Sequence, residues 1–336
     1  MKFSYLLPAC LALLLTGCSP VVRVHEAPAR APIETPGAHY PVTIENLSAK
    51  GEAVTAVYDA PPQRVVAVWQ NSIETLLALG VGDRIVAGMG VPNATYIRAA
   101  YRAAYEAIPY TSLEHLDVET VLMMEPDLIV GWGSTFSPKV LRSTDFWAGR
   151  GIHTYIAPAS VSGFAQKTLT TEWQDILNMG RIFDRQDRAE EIVAEMQREI
   201  SFVTEKTQDK KTRPRALVIE FLGKEIRSYG QDTLAGDMLR ALGAAHLAAD
   251  GESLSMEELI TLDPDAIFVV IIESDYGNEE AVLSHIYDNP ALQGLHSVRE
   301  RRIYPLPLYA VYSAGVRSYD GILILAQGLY PELYKR

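Results

Sequence analysis

Apolar positions along this chain alternate between two periods, and the alternation occurs twice. Residues 64–69, 84–87 and 128–130 are short apolar runs rich in Val and Ile, which predict strands covered on both faces, and residues 153–156 read as a further strand. Between them, residues 73–79 end at Gly80, residues 118–124 precede Pro126-Asp127, and residues 136–148 carry apolar positions at helical spacing. The second half repeats this: a strand at 216–220, a helix at 235–242 ended by Gly243, a helix at 256–262 before Pro264-Asp265, and a strand at 266–271. Repeated strand–helix–strand units predict an α/β protein with parallel pairing and helices on both faces.

The two halves also match residue by residue. Val118-Glu119-Thr120-Val121-Leu122-Met123-Met124-Glu125-Pro126-Asp127 aligns without gaps on Met256-Glu257-Glu258-Leu259-Ile260-Thr261-Leu262-Asp263-Pro264-Asp265, and Ala78-Leu79-Gly80 echoes Ala241-Leu242-Gly243. Two similar lobes follow. Between them Ala189, Ile192, Val193, Met196, Ile200 and Val203 fall on one face of a predicted helix over 187–208, with Asp184 or Asp187 as its cap. Ahead of the first lobe, alternating residues 40–45 and 54–58 flank Gly51 and predict a hairpin.

The N-terminus reads differently. Lys2 precedes a brief apolar run at 6–15, too short to span a bilayer and suited to a signal-peptide core. It ends in Leu15-Thr16-Gly17-Cys18, which resembles the lipobox of bacterial lipoproteins and implies lipidation at Cys18. The only other cysteine, Cys10, lies in the segment to be removed. Residues 19–37 hold Pro20, Pro28, Pro32 and Pro36 without periodicity and read as a tether. The expected organisation is a signal peptide at 1–17, a tether at 18–39, an N-terminal lobe at 40–170, an interlobe helical segment at 171–212 and a C-terminal lobe at 213–336.

Composition narrows the function. The 336 residues are 48% hydrophobic and 21% charged, which is globular, and the formal charge of −12 argues against a nucleic-acid partner. His115, His153, His246, His285 and His296 are scattered without paired spacing, so a bare metal site is disfavoured. No phosphate loop, GxSxG elbow or HExxH is present, which argues against an enzyme. No cofactor is implied.

In open α/β lobes ligands sit beyond the carboxyl ends of strands. Trp69 ends the first strand and Trp132 follows another within Gly131-Trp132-Gly133, so both are placed to stack on a flat ligand or to cap the lobe core. Tyr96 follows Val91-Pro92 near a strand end. Arg227 and Tyr229 follow the strand ending at Glu220, Tyr276 follows the one ending near Ile272, and Tyr309 and Arg317 flank Ser313-Ala314-Gly315. An arginine facing a cleft offers charge-assisted hydrogen bonds to catecholate or carboxylate oxygens.

The chain resembles the helix-linked solute-binding lipoproteins of ABC importers for ferric siderophores, cobalamin and haem. The resemblance rests on the lipobox, Ala60-Pro61-Pro62-Gln63-Arg64-Val65-Val66 after the hairpin, Ala78-Leu79-Gly80, residues 113–130 with Glu119 and Pro126-Asp127, Gly180-Arg181-Ile182-Phe183 leading to Ala189-Glu190, and residues 326–331. It implies two Rossmann-like lobes bridged by a single long helix, with a largely preformed ligand cleft between them. It implies an extracytoplasmic, lipid-anchored, monomeric protein working with permease subunits and their ATPase. It also implies that Glu119 and Glu257 meet arginines on the two permease subunits. Arg317 stands where siderophore-binding members often carry a cleft arginine. The leader hairpin favours a ferric siderophore, with cobalamin and haem as alternatives, Tyr96 being a candidate ligand to haem iron. A chelatase-like enzyme is the rival class, against which the lipoprotein signal argues.

Overall fold

The structure, a computed structural model, describes residues 39–164, 167–223, 225–248 and 253–335. The signal segment, Cys18 and nearly all of the tether lie outside the described residues. The expected hairpin forms from β1 (Val42–Leu47) and β2 (Ala53–Tyr58), paired antiparallel.

The first lobe carries five parallel strands: β3 (Val65–Val68), β4 (Ile85–Met89), β5 (Thr111–Ser112), β6 (Leu128–Gly131) and β7 (His153–Ile156). Their order is β5-β4-β3-β6-β7, so the winding reverses between β3 and β6. Every residue of β3, β4 and β6 is buried, which accounts for their unbroken apolar runs. The helices of this lobe are α1 (Gln70–Ala78), α2 (Arg102–Glu106), α3 (Val118–Met123), α4 (Thr144–Ala148) and α5 (Leu169–Ile182). Residues 136–148 do not form the single helix their spacing predicts. Pro138 disfavours helical backbone at Ser137, Arg142 adopts a left-handed φ of 59°, and Ser143 caps a short α4 by accepting from the Phe146 amide.

Next comes α6 (Gln186–Thr207), a 22-residue helix that bridges the lobes. Its buried face carries Ala189, Ile192, Val193, Met196 and Val203, as the spacing predicts. Its cap differs. Asp184 takes φ 53°, Arg185 occupies the N-cap without a capping side-chain bond, and Asp187 sits inside the first turn, where its charge still suits the helix dipole.

The second lobe holds β8 (Arg215–Leu222), β9 (Glu225–Ser228), β10 (Ala245–His246), β11 (Ser253–Leu254), β12 (Ala266–Ile271) and β13 (Ile303–Pro307). Strands β8, β12, β13 and β10 are parallel, whereas β9 folds back antiparallel on β8 and β11 pairs antiparallel with β9. The second lobe is therefore mixed rather than wholly parallel. Around it lie α7 (Leu234–Ala241), α8 (Met256–Leu262), α9 (Glu279–Tyr287), α10 (His296–Arg299), α11 (Ser318–Leu329) and α12 (Pro331–Tyr334).

The repeated Pro-Asp pairs have a common structural task. Asp127 accepts from the Gln63 and Arg64 amides at 2.7 and 2.9 Å, tying the start of β6 to that of β3, while Arg64 Nε donates to Met124 O at the end of α3 at 2.9 Å. In the second lobe Asp265 accepts from the Arg215 amide at 2.8 Å, and the Arg215 guanidinium donates to Asp263 O at 3.2 Å. In each lobe the helix end therefore locks onto the first strand. Glu125 and Asp263 turn out of their helices at equivalent left-handed positions, φ 46° and 39°.

One apolar core runs through both lobes. Val65, Ile73 and Leu128 of the first connect through Ile176, Met179, Ile192 and Met196 of α5 and α6 to Val218, Phe268 and Leu325 of the second.

Candidate functional site

The reversal point between β3 and β6 is the place where an open α/β sheet leaves a crevice. Trp69 and Trp132 emerge there and stack, ring centroids 4.6 Å apart and planes 21° from parallel. Both indole N–H groups are held: Trp69 Nε1 donates to Thr135 Oγ1 at 3.1 Å and Trp132 Nε1 to Asn71 Oδ1 at 2.8 Å. Trp69 has φ 75° and ψ 152°, a backbone region otherwise left to glycine. Strain of that kind persists where the surroundings fix it. The Trp69 amide donates to Met89 O at 2.8 Å, and Gly90 lies against the indole so closely that a Cβ would come within 2.9 Å of Cε3. The pair is a rigid, partly exposed aromatic wall.

The second lobe meets this wall with Tyr312, whose ring stands edge-on to Trp132 at 5.4 Å and 70°. Beside Tyr312 a cavity of about 180 Å³ opens between the lobes, lined among others by Lys167, Arg227, Ser228, Tyr229 and Ser313. Arg227 and Tyr229 do not simply follow β8. Arg227 lies on β9 and Tyr229 just beyond it, because the chain turns back at Gly223. Arg227 is exposed and reaches Glu220 Oε2 only at 3.4 Å. Tyr229 is buried and donates to Glu220 Oε2 at 2.9 Å; burial and that carboxylate push its phenol far up. It therefore braces the cavity wall rather than offering a free hydroxyl.

A second aromatic group also crosses the cleft. Tyr96 of the first lobe packs on Tyr276 of the second at 5.2 Å, and Tyr276 meets Tyr309 at 5.6 Å. Arg317 lies over the Tyr309 ring at 4.1 Å. The expectation that Arg317 faces the cleft as a free cation is corrected here. It is 6% exposed and spends its charge on Glu74 at 2.9 Å and Asp320 at 2.6 Å, while donating to Tyr96 O at 3.1 Å. Arg98 completes the network through Asp320 at 2.5 Å, and its amide donates to Glu74 Oε1 at 2.8 Å. Burial raises the pKa of Glu74, and Arg317 opposes that rise. The four charges pin the lobes together under the Tyr96 segment.

Glu119 and Glu257 are exposed in the first turns of α3 and α8, at matching points of the two lobes. Glu258, the neighbour of Glu257, is occupied: it accepts from the Ser255 amide at 2.8 Å in a capping box. Its carboxyl is held below the usual range by those Ser255 bonds. Among the described residues no three His, Cys, Asp or Glu side chains gather as a metal site, and no helix is long and apolar enough to cross a membrane.

The sequence reading thus finds Trp69, Trp132, Tyr96, Tyr276 and Tyr309 at the lobe interface, in two groups rather than one. It misses Tyr312, Lys167, Ser228 and Ser313. Tyr312 adjoins the Ser-Ala-Gly turn already noted, whereas Lys167 stands in a stretch without periodicity and carries no signal.

Two α/β lobes joined by a helix, with an aromatic cleft at the winding reversal, define a two-lobed binding protein. The chain belongs to the periplasmic binding protein family, whose model matches residues 65–310. Over 330 residues it is 24% identical to an uncharacterized ABC transporter substrate-binding lipoprotein, YvrC, of Bacillus subtilis, covering 96% of this chain and 95% of that one. It is 24% identical over 271 residues to the ferric-anguibactin-binding protein FatB of Vibrio anguillarum, covering 76% and 74%. The crystal structure of a periplasmic binding protein from Veillonella parvula superposes with a TM-score of 0.84 at 44% identity, covering 88% of this chain and 93% of that one.

Proposed function

We propose that this chain is the extracytoplasmic, lipid-anchored solute-binding component of an ABC importer and that its interlobe cleft captures a ferric siderophore. The observation that carries this reading is the stacked Trp69–Trp132 wall at the winding reversal, facing Tyr312 across the cleft with Lys167 and Arg227 beside it. Rigid indoles suit the flat aromatic arms of a bulky ferric chelate, and the two cations suit its negative charge. Family membership and the ferric-chelate binding of a relative support it. In this reading residues 1–17 are cleaved, Cys18 carries the lipid, residues 18–39 tether the body, and the monomer docks on the permease through Glu119 and Glu257.

The test is tryptophan fluorescence. Two of the four tryptophans, Trp69 and Trp132, line the cleft, while Trp147 is fully buried elsewhere. A matching ferric siderophore should quench the cleft share of the emission, and Trp132→Ala should weaken binding about tenfold. Tight binding of cobalamin or haem with no response to a broad siderophore panel would refute the siderophore assignment.

A further inference from the structure

The cavity beside Tyr312 holds more polar groups than a stacking wall needs. Ser228, at the end of β9, and Ser313, in the loop after β13, both line it. They are 5% and 2% exposed, and neither hydroxyl has a hydrogen-bond partner among the described residues. A buried hydroxyl without a partner is costly and asks for an explanation. Two such hydroxyls on one cavity point to a polar group supplied from outside the chain. Ser313 also holds φ 43°, left-handed strain of the kind that concentrates at ligand sites.

The surroundings specify that group. Lys167 and Arg227 supply positive charge at the wall, and the start of α7 enters through Asp232, Thr233 and Leu234. The amides and dipole at that helix end favour an anion. Asp232 lines the same wall as a carboxylate. It disfavours a bare polyanion yet accepts from a hydroxyl. A group joining a carboxylate to a hydroxyl answers all five side chains.

We propose that this cavity is a subsite for a hydroxycarboxylate, its carboxylate held by Lys167 and Arg227 and its hydroxyl by Asp232, Ser228 and Ser313. The proposal rests on the ferric-chelate reading of the cleft and names the arm such a chelate presents there. About 180 Å³ admits a single arm, so the bulk of a chelate stays on the indole side of Tyr312.

Isothermal titration calorimetry with the mature protein tests this, using citrate alone, ferric citrate, and a ferric trihydroxamate chelate without carboxylates. The variants are Lys167→Ala with Arg227→Ala, and separately Ser228→Ala. The parent should favour ferric citrate over the trihydroxamate. The cation variant should lose about ten- to hundredfold in ferric citrate affinity and with it that preference, as expected for lost charge-assisted bonds. Ser228→Ala should shift the preference the same way by a smaller factor. An affinity ratio equal in parent and cation variant overturns the subsite while leaving the ferric-chelate reading standing. Citrate that binds only when Lys167 and Arg227 are present, with neither ferric chelate bound, sinks the ferric-chelate reading and keeps the subsite. Failure of both citrate and ferric citrate to bind overturns the subsite, whatever the trihydroxamate does.

Discussion

Replacing Arg317 by Met isolates the ion network beneath the cleft. The side chains of Glu74 and Arg317 are 0% and 8% exposed, and the pair is 2.9 Å apart. Removing the cation leaves the buried Glu74 carboxylate without its nearest opposing charge, while Asp320 keeps Arg98 and Tyr96 O keeps Gln70 Nε2. Breaking a buried pair from one side costs about 3–5 kcal/mol. For a chain of this size that corresponds to a fall in melting temperature of roughly 5–10 °C. The penalty has a pH signature. Burial raises Glu74 even beside Arg317, the largest of the influences opposing that rise, so without it the folded state holds the proton to still higher pH than the unfolded chain. The variant's stability therefore falls as pH rises, and the deficit against the parent should be larger at pH 8 than at pH 5. Adding Glu74→Gln to Arg317→Met should recover much of the loss, because it removes the orphaned charge. Differential scanning calorimetry of the parent, both single variants and the double variant completes the cycle. A single variant melting within about 1 °C of the parent, or a double variant no more stable than Arg317→Met, refutes the reasoning.

Glu172 and Asp175 offer a second pH test: burial first, then Asp175 nearby, pushes Glu172 to about 8, and burial pushes Asp175 to about 7. Folded values raised above unfolded ones mean a contribution complete below about pH 4 and lost as pH rises through 7 to 8. Glu172→Gln, whose amide oxygen still accepts from the Gly315 amide bonded at 2.6 Å, should gain stability over the parent at pH 8.5 and not at pH 5. Glu119→Arg combined with Glu257→Arg should leave siderophore affinity unchanged and abolish uptake in cells, since both side chains are exposed and neither belongs to the aromatic wall; normal uptake by a folded double variant would end the docking assignment. Cys18→Ala should accumulate unprocessed or be released from the membrane fraction, and mass spectrometry of an unmodified N-terminus downstream of Cys18 would contradict lipidation.

Local pattern was enough for the strands because β3, β6 and β12 are covered on both faces and have no polar positions to confuse the period. It was enough for the paired lobes because Asp127 and Asp265 do the same hydrogen-bonding work, which holds the spacing of both motifs. It failed at Arg317, where the deciding partner, Glu74, lies on the other lobe and 243 positions earlier, counting 317 minus 74. It failed at 136–148 because a proline and a serine cap outweigh helical spacing. Tyr229 shows the same limit: sequence places it past a strand end, but its phenol is claimed by Glu220 from the neighbouring strand.

The core that passes without interruption from Ile73 through α5 and α6 to Phe268 bears on the kinetics of transport. Swinging the lobes apart would uncover that apolar seam and rupture the Arg317 network at once, so thermal opening is rare. In the proposed reading of the cleft, escape of a bound solute would follow rotations of Tyr96, Tyr276 and Tyr312, whose rings cross between the lobes, a local event on a much faster scale than domain rearrangement. On that reading such a receptor would load and unload through a fixed aperture. The work of widening it, where a tightly held cargo requires it, has to come from the machine on which the receptor docks.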